Sequence, residues 1–269
     1  MDVAVIGGTG VLGGLVARTL LEGGDQVRLV SRSAPAAGSA AAALVAAGAG
    51  HHVADLRSGD GLAAALGGAD AVVDAVNDPR GAKQVMVEGG GRLLAAEAAA
   101  GVGHHVAVSI VGIEQVPLAY YTAKLAQERV VTDGPVPWSL LRATQFHQLL
   151  DQAFAAAARL RLLPGGAAQV QPIDPAIVAA RLADAVHAGP CGRLPQLGGP
   201  RVQTLGELAR EWRAARGRRL PVVPLPWPPR LGRALRGGSL TAPDAAVEGP
   251  AFAQWLAQPP ADVAESVLR

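Results

Sequence analysis

A glycine-rich stretch placed between an apolar strand and a helix constrains this chain more than any other feature. Asp2 to Gly7 reads as a buried strand, Gly7-Gly8-Thr9-Gly10-Val11-Leu12-Gly13-Gly14 follows at once, and a helix runs on through Leu21. Each glycine in such a loop has a physical task. One permits the tight turn, one lets the backbone approach a pyrophosphate, and one allows the helix to pack closely on the strand, while the helix N-terminus offers unpaired N–H groups to the anion. Thirty-four glycines occur in the chain, so the motif gains its weight from the strand, turn and helix around it. Gly7, Thr9, Gly10, Val11, Leu12 and Gly13 are therefore the expected phosphate-binding set.

The segments that follow repeat this strand–helix alternation. Gln26 to Ser31, His51 to Asp55, Ala71 to Val76, Val106 to Ile110 and Trp138 to Leu141 are strand candidates, separated by alanine-rich helices that end on glycine. Continuous Val/Ile/Ala/Leu runs are the mark of strands covered on both faces, which implies a doubly wound parallel sheet. Ala46 to Ala54 and Ala99 to Ala107 are near-copies, each a helix end entering a strand. Past Arg142 the pattern loosens. Asp151 to Leu163 reads as a helix, Pro164-Gly165-Gly166 as a turn, Asp174-Pro175 as the cap of a helix to about His187, and Thr204 to Ala215 as another helix. The expected organisation is a dinucleotide-binding domain over 1–143 and a smaller substrate lobe over 144–269, folded against the carboxyl edge of the sheet.

The second strand sets the expected cofactor. Where NAD binders place an acidic residue about 20 positions beyond the loop, this chain has Ser31-Arg32-Ser33. No carboxylate is available for the ribose 2′-hydroxyl. Arg32 instead offers a planar fork to a 2′-phosphate, with Ser31 and Ser33 as supplementary donors, so NADP(H) is expected in preference to NAD(H). Asp55 and Leu56, ending the third strand, are placed to meet the adenine, with helix capping as the alternative task for Asp55. Ala75, Val76 and Asn77, ending the fourth, are expected to line the cofactor.

A candidate proton donor follows the fifth strand. Ser109 is succeeded, eleven residues on, by Tyr120-Tyr121-Thr122-Ala123-Lys124 at the head of a helix. Four residues separate Tyr120 from Lys124, which puts both on one helix face. A free phenol has a pKa near about 10, and an adjacent ammonium would favour the phenolate. Ser109 would orient a carbonyl oxygen, Tyr120 would donate its proton, and Lys124 would serve the phenol and the nicotinamide ribose together. Tyr121 is the competing donor, or a wall of the substrate pocket, and Ile110 and Val111 beside Ser109 belong to that pocket as well.

The loop Gly7 to Gly13, Arg32, the Ser109/Tyr120/Lys124 set and Leu141-Arg142-Ala143-Thr144-Gln145-Phe146-His147 together resemble an atypical short-chain dehydrogenase/reductase of the NmrA-like, NAD(P)H-binding family. The resemblance extends to Leu197-Gly198-Gly199-Pro200 and the helix after it. It implies a Rossmann-type sheet, NADP(H), the catalytic roles above, and passage of Ala143, Thr144 and Phe146 near the nicotinamide. One departure is plain: no proline-glycine pair follows the sixth strand.

Other features narrow the function. Net charge is +2, yet Arg210 to Arg236 holds eight arginines and one acid, Glu211. That run lacks a nucleic-acid-binding motif and reads as a solvated face, so no nucleic-acid partner is expected. His51-His52 and His104-His105 enter strands, where neighbours point to opposite faces, so no metal site is expected. His147 and Trp227 are further substrate-pocket candidates, with core packing as the alternative for His147. A single cysteine, Cys191, no export signal and no long apolar run suggest a cytoplasmic protein without a membrane partner, monomeric or homodimeric. With few charged anchors near the pocket segments, the leading expectation is NADPH-dependent reduction of a small, largely apolar carbonyl or quinone. The alternatives are a non-catalytic NADP(H) redox sensor and a nucleotide-sugar epimerase or dehydratase, for which the lobe is short.

Overall fold

The computed structural model describes residues 1–258, so positions 259–269 of the expected lobe lie outside the described residues. The first half alternates as its sequence implies: β1 (Asp2–Ile6), α1 (Val11–Glu22), β2 (Gln26–Ser31), α2 (Ala40–Ala46), β3 (Gly50–Val53), α3 (Leu62–Leu66), β4 (Ala71–Asp74), α4 (Gly89–Ala100), β5 (His104–Ile110), α5 (Ala119–Thr132) and β6 (Trp138–Ala143). The second half holds α6 (His147–Ala158), β7 (Leu163–Gly165), β8 (Gln169–Val170), α7 (Pro175–Ala188), β9 (Gly192–Arg193), β10 (Gln203–Thr204), α8 (Leu205–Ala215), β11 (Val222–Pro224), α9 (Pro229–Arg236) and α10 (Phe252–Ala257).

The central sheet is parallel in the order β3-β2-β1-β4-β5-β6-β9. Strand order reverses between β1 and β4, and that switch point is where an open α/β sheet leaves a crevice at its carboxyl edge. Register sets the two sides of the crevice level, Ile6 standing opposite Asp74. Val3, Val5, Val16 and Leu20 bury one face of the sheet, and Ala4, Val72, Leu93 and Leu140 belong to the core on the other.

The second half does not stay apart from this sheet. Val178, Leu182 and Val186 of α7 share a core with Val16 and Leu20 of α1, and β9 extends the sheet beside Ser139 and Leu140. The sequence cut at 143/144 therefore divides a covering layer, because α7 carries an apolar face as wide as those of the earlier helices. The remainder forms its own core, where Phe154, Leu163, Trp212 and Phe252 meet.

Two readings of the second half are corrected. The first helix after the sheet is not Asp151 to Leu163 but α6, starting four residues earlier and ending at Ala158. Leu163 and the expected Pro164-Gly165 turn form β7, drawn into parallel pairing with Val222–Pro224. Short strands that depend on a distant partner leave little periodic trace. Asp174 does cap α7, its side chain accepting from Ala176 N at 2.9 Å, and Thr204 caps α8 through a reciprocal bond with Glu207. Among the described residues no helix is long and apolar enough to cross a membrane.

Candidate active site

The loop between β1 and α1 is shaped by backbone alone. Gly7 adopts a φ of +76°, its carbonyl accepts from Gly10 N at 2.9 Å, and Gly10 caps α1 without any side-chain bond. The first-turn N–H groups of α1 are thus not taken by a capping side chain, and no acidic side chain stands there to compete with an anion. A Cβ at Gly13 would be driven into the Gly7 carbonyl. Gly13 consequently does not face the crevice, contrary to its expected place in the phosphate-binding set; it lets α1 close on the loop.

A single cavity of about 1020 Å3 runs along the crevice. Gly7, Thr9, Gly10, Val11 and Leu12 line one end, with Ser31 and Arg32 beside them, and Asp55, Leu56, Ala75, Val76 and Asn77 line the next stretch. Arg32 is exposed and makes no hydrogen bond or ion pair among the described residues, so its guanidinium is free for a ligand. Ser31 is not: its hydroxyl donates to Ser33 O at 2.8 Å and lies 2.9 Å from His51 Nε2. Asp55 accepts from Arg57 N at 2.8 Å, a turn-stabilising bond.

Farther along, β5 and α5 bring Ser109, Ile110, Tyr120, Tyr121 and Lys124 to the same cavity. The Tyr120 hydroxyl donates to Asn77 Oδ1 at 2.8 Å, bridging the crevice from α5 to the end of β4. Burial, helped by neighbouring Tyr121 and opposed by the Asn77 bond, pushes the Tyr120 phenol up to about 12. This reverses the expectation that Lys124 lowers it. The Lys124 ammonium is buried and donates to Val108 O at 3.1 Å and Gln127 Oε1 at 2.7 Å, and neither tyrosine is its partner. Gln127 in turn donates to Asp74 Oδ2 at 2.9 Å. Burial lowers the Lys124 pKa, while the Asp74 and Glu128 carboxylates work against that fall. Tyr120 and Lys124 share a helix side, but the lysine turns inward to fixed acceptors that sequence spacing does not reveal.

Ser109 Oγ is shielded and has no hydrogen-bond partner of good geometry among the described residues, although the Glu128 carboxylate is close enough to feel its hydroxyl. Glu128 itself is held by Arg142 at 2.8 Å and Arg193 at 3.1 Å. Ala143, Thr144 and Phe146 line the cavity where β6 ends. Thr144 Oγ1 accepts from Gly199 N at 3.1 Å, which ties this turn to the Gly198-Gly199 segment.

Three expected substrate residues fall elsewhere. Val111 is buried in the protein interior behind Ile110. His147 is wholly buried, bonded through Nε2 to Pro250 O at 3.0 Å and stacked on Trp255 at 5.4 Å, because the first turn of α6 presents it to the second core. Trp227 lies outside the cavity, packed near Gly232 in the proline-rich segment before α9. In their place stand Gln145, Gln148, Leu149 and Gln152. Their 3–4 spacing was a readable signal, lost because the helix was placed too late. The histidine pairs divide as strand geometry requires: His104 faces Ser139 Oγ at 2.8 Å and His105 faces Glu97 at 2.9 Å.

A model described as the NmrA-like family matches residues 1–191 of this chain, a span that takes in the sheet through β6 and also α7. The chain is 32% identical over 227 residues to the (4-alkanoyl-5-oxo-2,5-dihydrofuran-3-yl)methyl phosphate reductase of Streptomyces griseus subsp. griseus, covering 81% of this chain and 75% of that protein. Its fold is similar to that of an NADPH-dependent quinone oxidoreductase of Escherichia coli solved with NADPH, at TM-score 0.70 and 23% identity over 99% of this chain and 98% of the other. It is similar too to the triphenylmethane reductase of Citrobacter sp. solved with NADP(H), at TM-score 0.68 and 17% identity over 99% and 100% of the two chains.

Proposed function

The chain belongs to the NmrA-like family, and from that premise we propose that it is an NADP(H)-dependent oxidoreductase reducing a small, largely apolar carbonyl or quinone. The observation that carries the reading is the continuity of one cavity from the open N-terminus of α1, past the unpaired Arg32, to Ser109, Tyr120 and the turn after β6. The residues fit a dinucleotide phosphate: the uncapped helix donors would hold the pyrophosphate, and Arg32 would hold the 2′-phosphate. The Streptomyces relative, named as a reductase, supports the reductive direction.

When bound, the nicotinamide supplies a hydride. Ala143, Thr144 and Phe146 hold the site at the end of β6, fixed by the Thr144–Gly199 bond. Tyr120, a neutral phenol at working pH because its pKa is pushed up to about 12, holds the proton that a reduced carbonyl oxygen needs. Asn77 accepts that proton in a hydrogen bond until a substrate oxygen replaces it. Ser109 lines the same cavity, and its hydroxyl, near the Glu128 carboxylate, would turn from it to orient that oxygen. Lys124 acts from behind, as a buried positive charge held by Val108 and Gln127.

The test is NADPH consumption over a panel of quinones, aldehydes and ketones, with Tyr120→Phe as the variant. General-acid loss lowers kcat by about 10²–10⁴-fold with KM little changed; equal turnover in the variant removes Tyr120 from the mechanism. A second reading, a non-catalytic NADP(H) sensor, is favoured by the engagement of Tyr120 with Asn77 and of Lys124 with Gln127. Tight NADPH binding with no turnover across the panel would select it.

A further inference from the structure

The charged side chains that line the cavity are unevenly distributed. Arg32, Asp55, Asp78, Arg80 and Lys124 all come from the first 124 residues. Asp78 is already engaged, accepting from Arg57 at 3.0 Å and from the N–H groups of Arg80 and Gly81, and Lys124 is turned inward. From Ala143 onward the lining is uncharged: Ala143, Thr144, Gln145, Phe146, Gln148, Leu149 and Gln152. Ile110, Tyr120 and Tyr121 line the same cavity.

The glutamines at this end are not equivalent. Gln145 is committed to the scaffold, donating to Leu240 O at 3.0 Å and accepting from Gln171 N at 3.3 Å. Gln148, in the first turn of α6, makes no hydrogen bond among the described residues, and its Oε1 is shielded from solvent without a partner. A shielded amide oxygen left unpaired is costly, and buried polar groups are as a rule satisfied by protein, water or ligand. Gln152 stands one helical turn farther on, with Leu149 between them.

We infer that the substrate is uncharged and carries a neutral hydroxyl or carbonyl group beside its reducible carbonyl, and that Gln148 is the residue that reads this group. The inference rests on the reductase reading and sharpens it. Gln148 lines the cavity, and a rotation that brings its amide oxygen out of its shielded position would let it meet a hydroxyl through either end, the oxygen accepting and the nitrogen donating. A phosphate ester fits badly at this end, because from Ala143 onward the lining offers amides, an aromatic ring and Leu149 but no cation to replace a dianion's water; Arg80, the cavity's other arginine beside Arg32, comes from the loop after β4. On this point the chain departs from its Streptomyces relative, whose name specifies a phosphate ester.

Three lactones test this: one 4-alkanoyl-5-oxo-2,5-dihydrofuran ring bearing at C3 a methyl, a hydroxymethyl, or the phosphate ester of the hydroxymethyl. Their binding to the full chain saturated with NADP⁺ is measured by calorimetry. The hydroxymethyl lactone is expected to bind about tenfold tighter than either other, the worth of one buried hydrogen bond. Gln148→Leu is expected to erase its advantage over the methyl lactone, and Arg80→Ala to leave the ranking unchanged. Tightest binding of the phosphate ester, equal binding of the methyl and hydroxymethyl lactones, or no binding of any overturns the inference. The wild-type ranking decides it even if Gln148→Leu fails to fold. NADPH consumption with the hydroxymethyl lactone is scored separately: the expected ranking without turnover would defeat the reductase reading while leaving the pocket chemistry standing.

Discussion

Two strand-to-helix junctions open onto the same cavity, and they are built on different terms. After β1 the chain spends backbone: a left-handed Gly7, an uncapped α1 and a Gly13 pressed against Gly7 leave donors free for a ligand. After β5 it spends side chains, and these are held by other parts of the protein. Tyr120 is bonded to Asn77 at the end of β4, and Lys124 to Val108 and Gln127, with Asp74 behind. The first junction waits for its ligand with its groups open. Under the proposed reading, the second would exchange an internal bond for a substrate bond before it acts.

The largest expected effect tests the backbone junction. Gly13→Val drives its side chain into the Gly7 carbonyl, a backbone contact that cannot swing aside. Overpacking of this kind costs about 1–3 kcal/mol, read as a lower Tm, and NADPH quenching of intrinsic fluorescence should disappear. A variant that still binds NADPH normally would show that the α1–loop contact does not shape the phosphate site.

Arg32→Ala comes next. A charge-assisted bond to the 2′-phosphate is worth about 1.5–3 kcal/mol, so NADPH affinity should fall roughly ten- to hundredfold while NADH affinity holds. An unchanged NADPH/NADH ratio would leave the cofactor preference without its residue.

Side-chain effects at the second junction are expected to be read in the pH profile rather than in cofactor binding. Because burial raises the Tyr120 phenol to about 12, its proton is retained as pH rises and lost only on approach to that value. The alkaline limb of kcat/KM should therefore stay flat from about pH 7 to about pH 10. A fall centred near pH ~8 would mean that Lys124 lowers the phenol after all. Lys124→Met removes the ammonium from Val108 O and Gln127 Oε1 and takes from Gln127 Oε1 its partner. Chemical denaturation should report a loss of about 1–3 kcal/mol, with no shift of that alkaline limb.

The same contrast explains what could be read in advance. Alternation of apolar runs with glycine-ended helices revealed the doubly wound sheet, and six of its seven strands were visible. The seventh, β9, is two residues long and exists only because Ser139 and Leu140 offer it an edge. Arg32 was legible because its position follows from the strand that carries it. The inward turn of Lys124 was not, since i, i+4 spacing sets a shared face and leaves the ammonium to find acceptors on β5 and α5. His147 and Trp227 were assigned to the pocket for their chemistry, but packing put one against Phe252 and Trp255 and the other outside the cavity.

By itself the sequence determined whatever depends on local backbone geometry: the glycine loop, the parallel sheet, and the place of Arg32 on the cavity just past β2. These follow from φ preferences, side-chain period and position along one strand. Tertiary structure alone decided the electrostatics of Tyr120 and Lys124, the place of α7 in the sheet layer, and the meeting of Gln148 and Gln152 with Tyr120 on one cavity. Burial and hydrogen bonding set those properties, and both depend on residues that lie far apart in the chain until it folds.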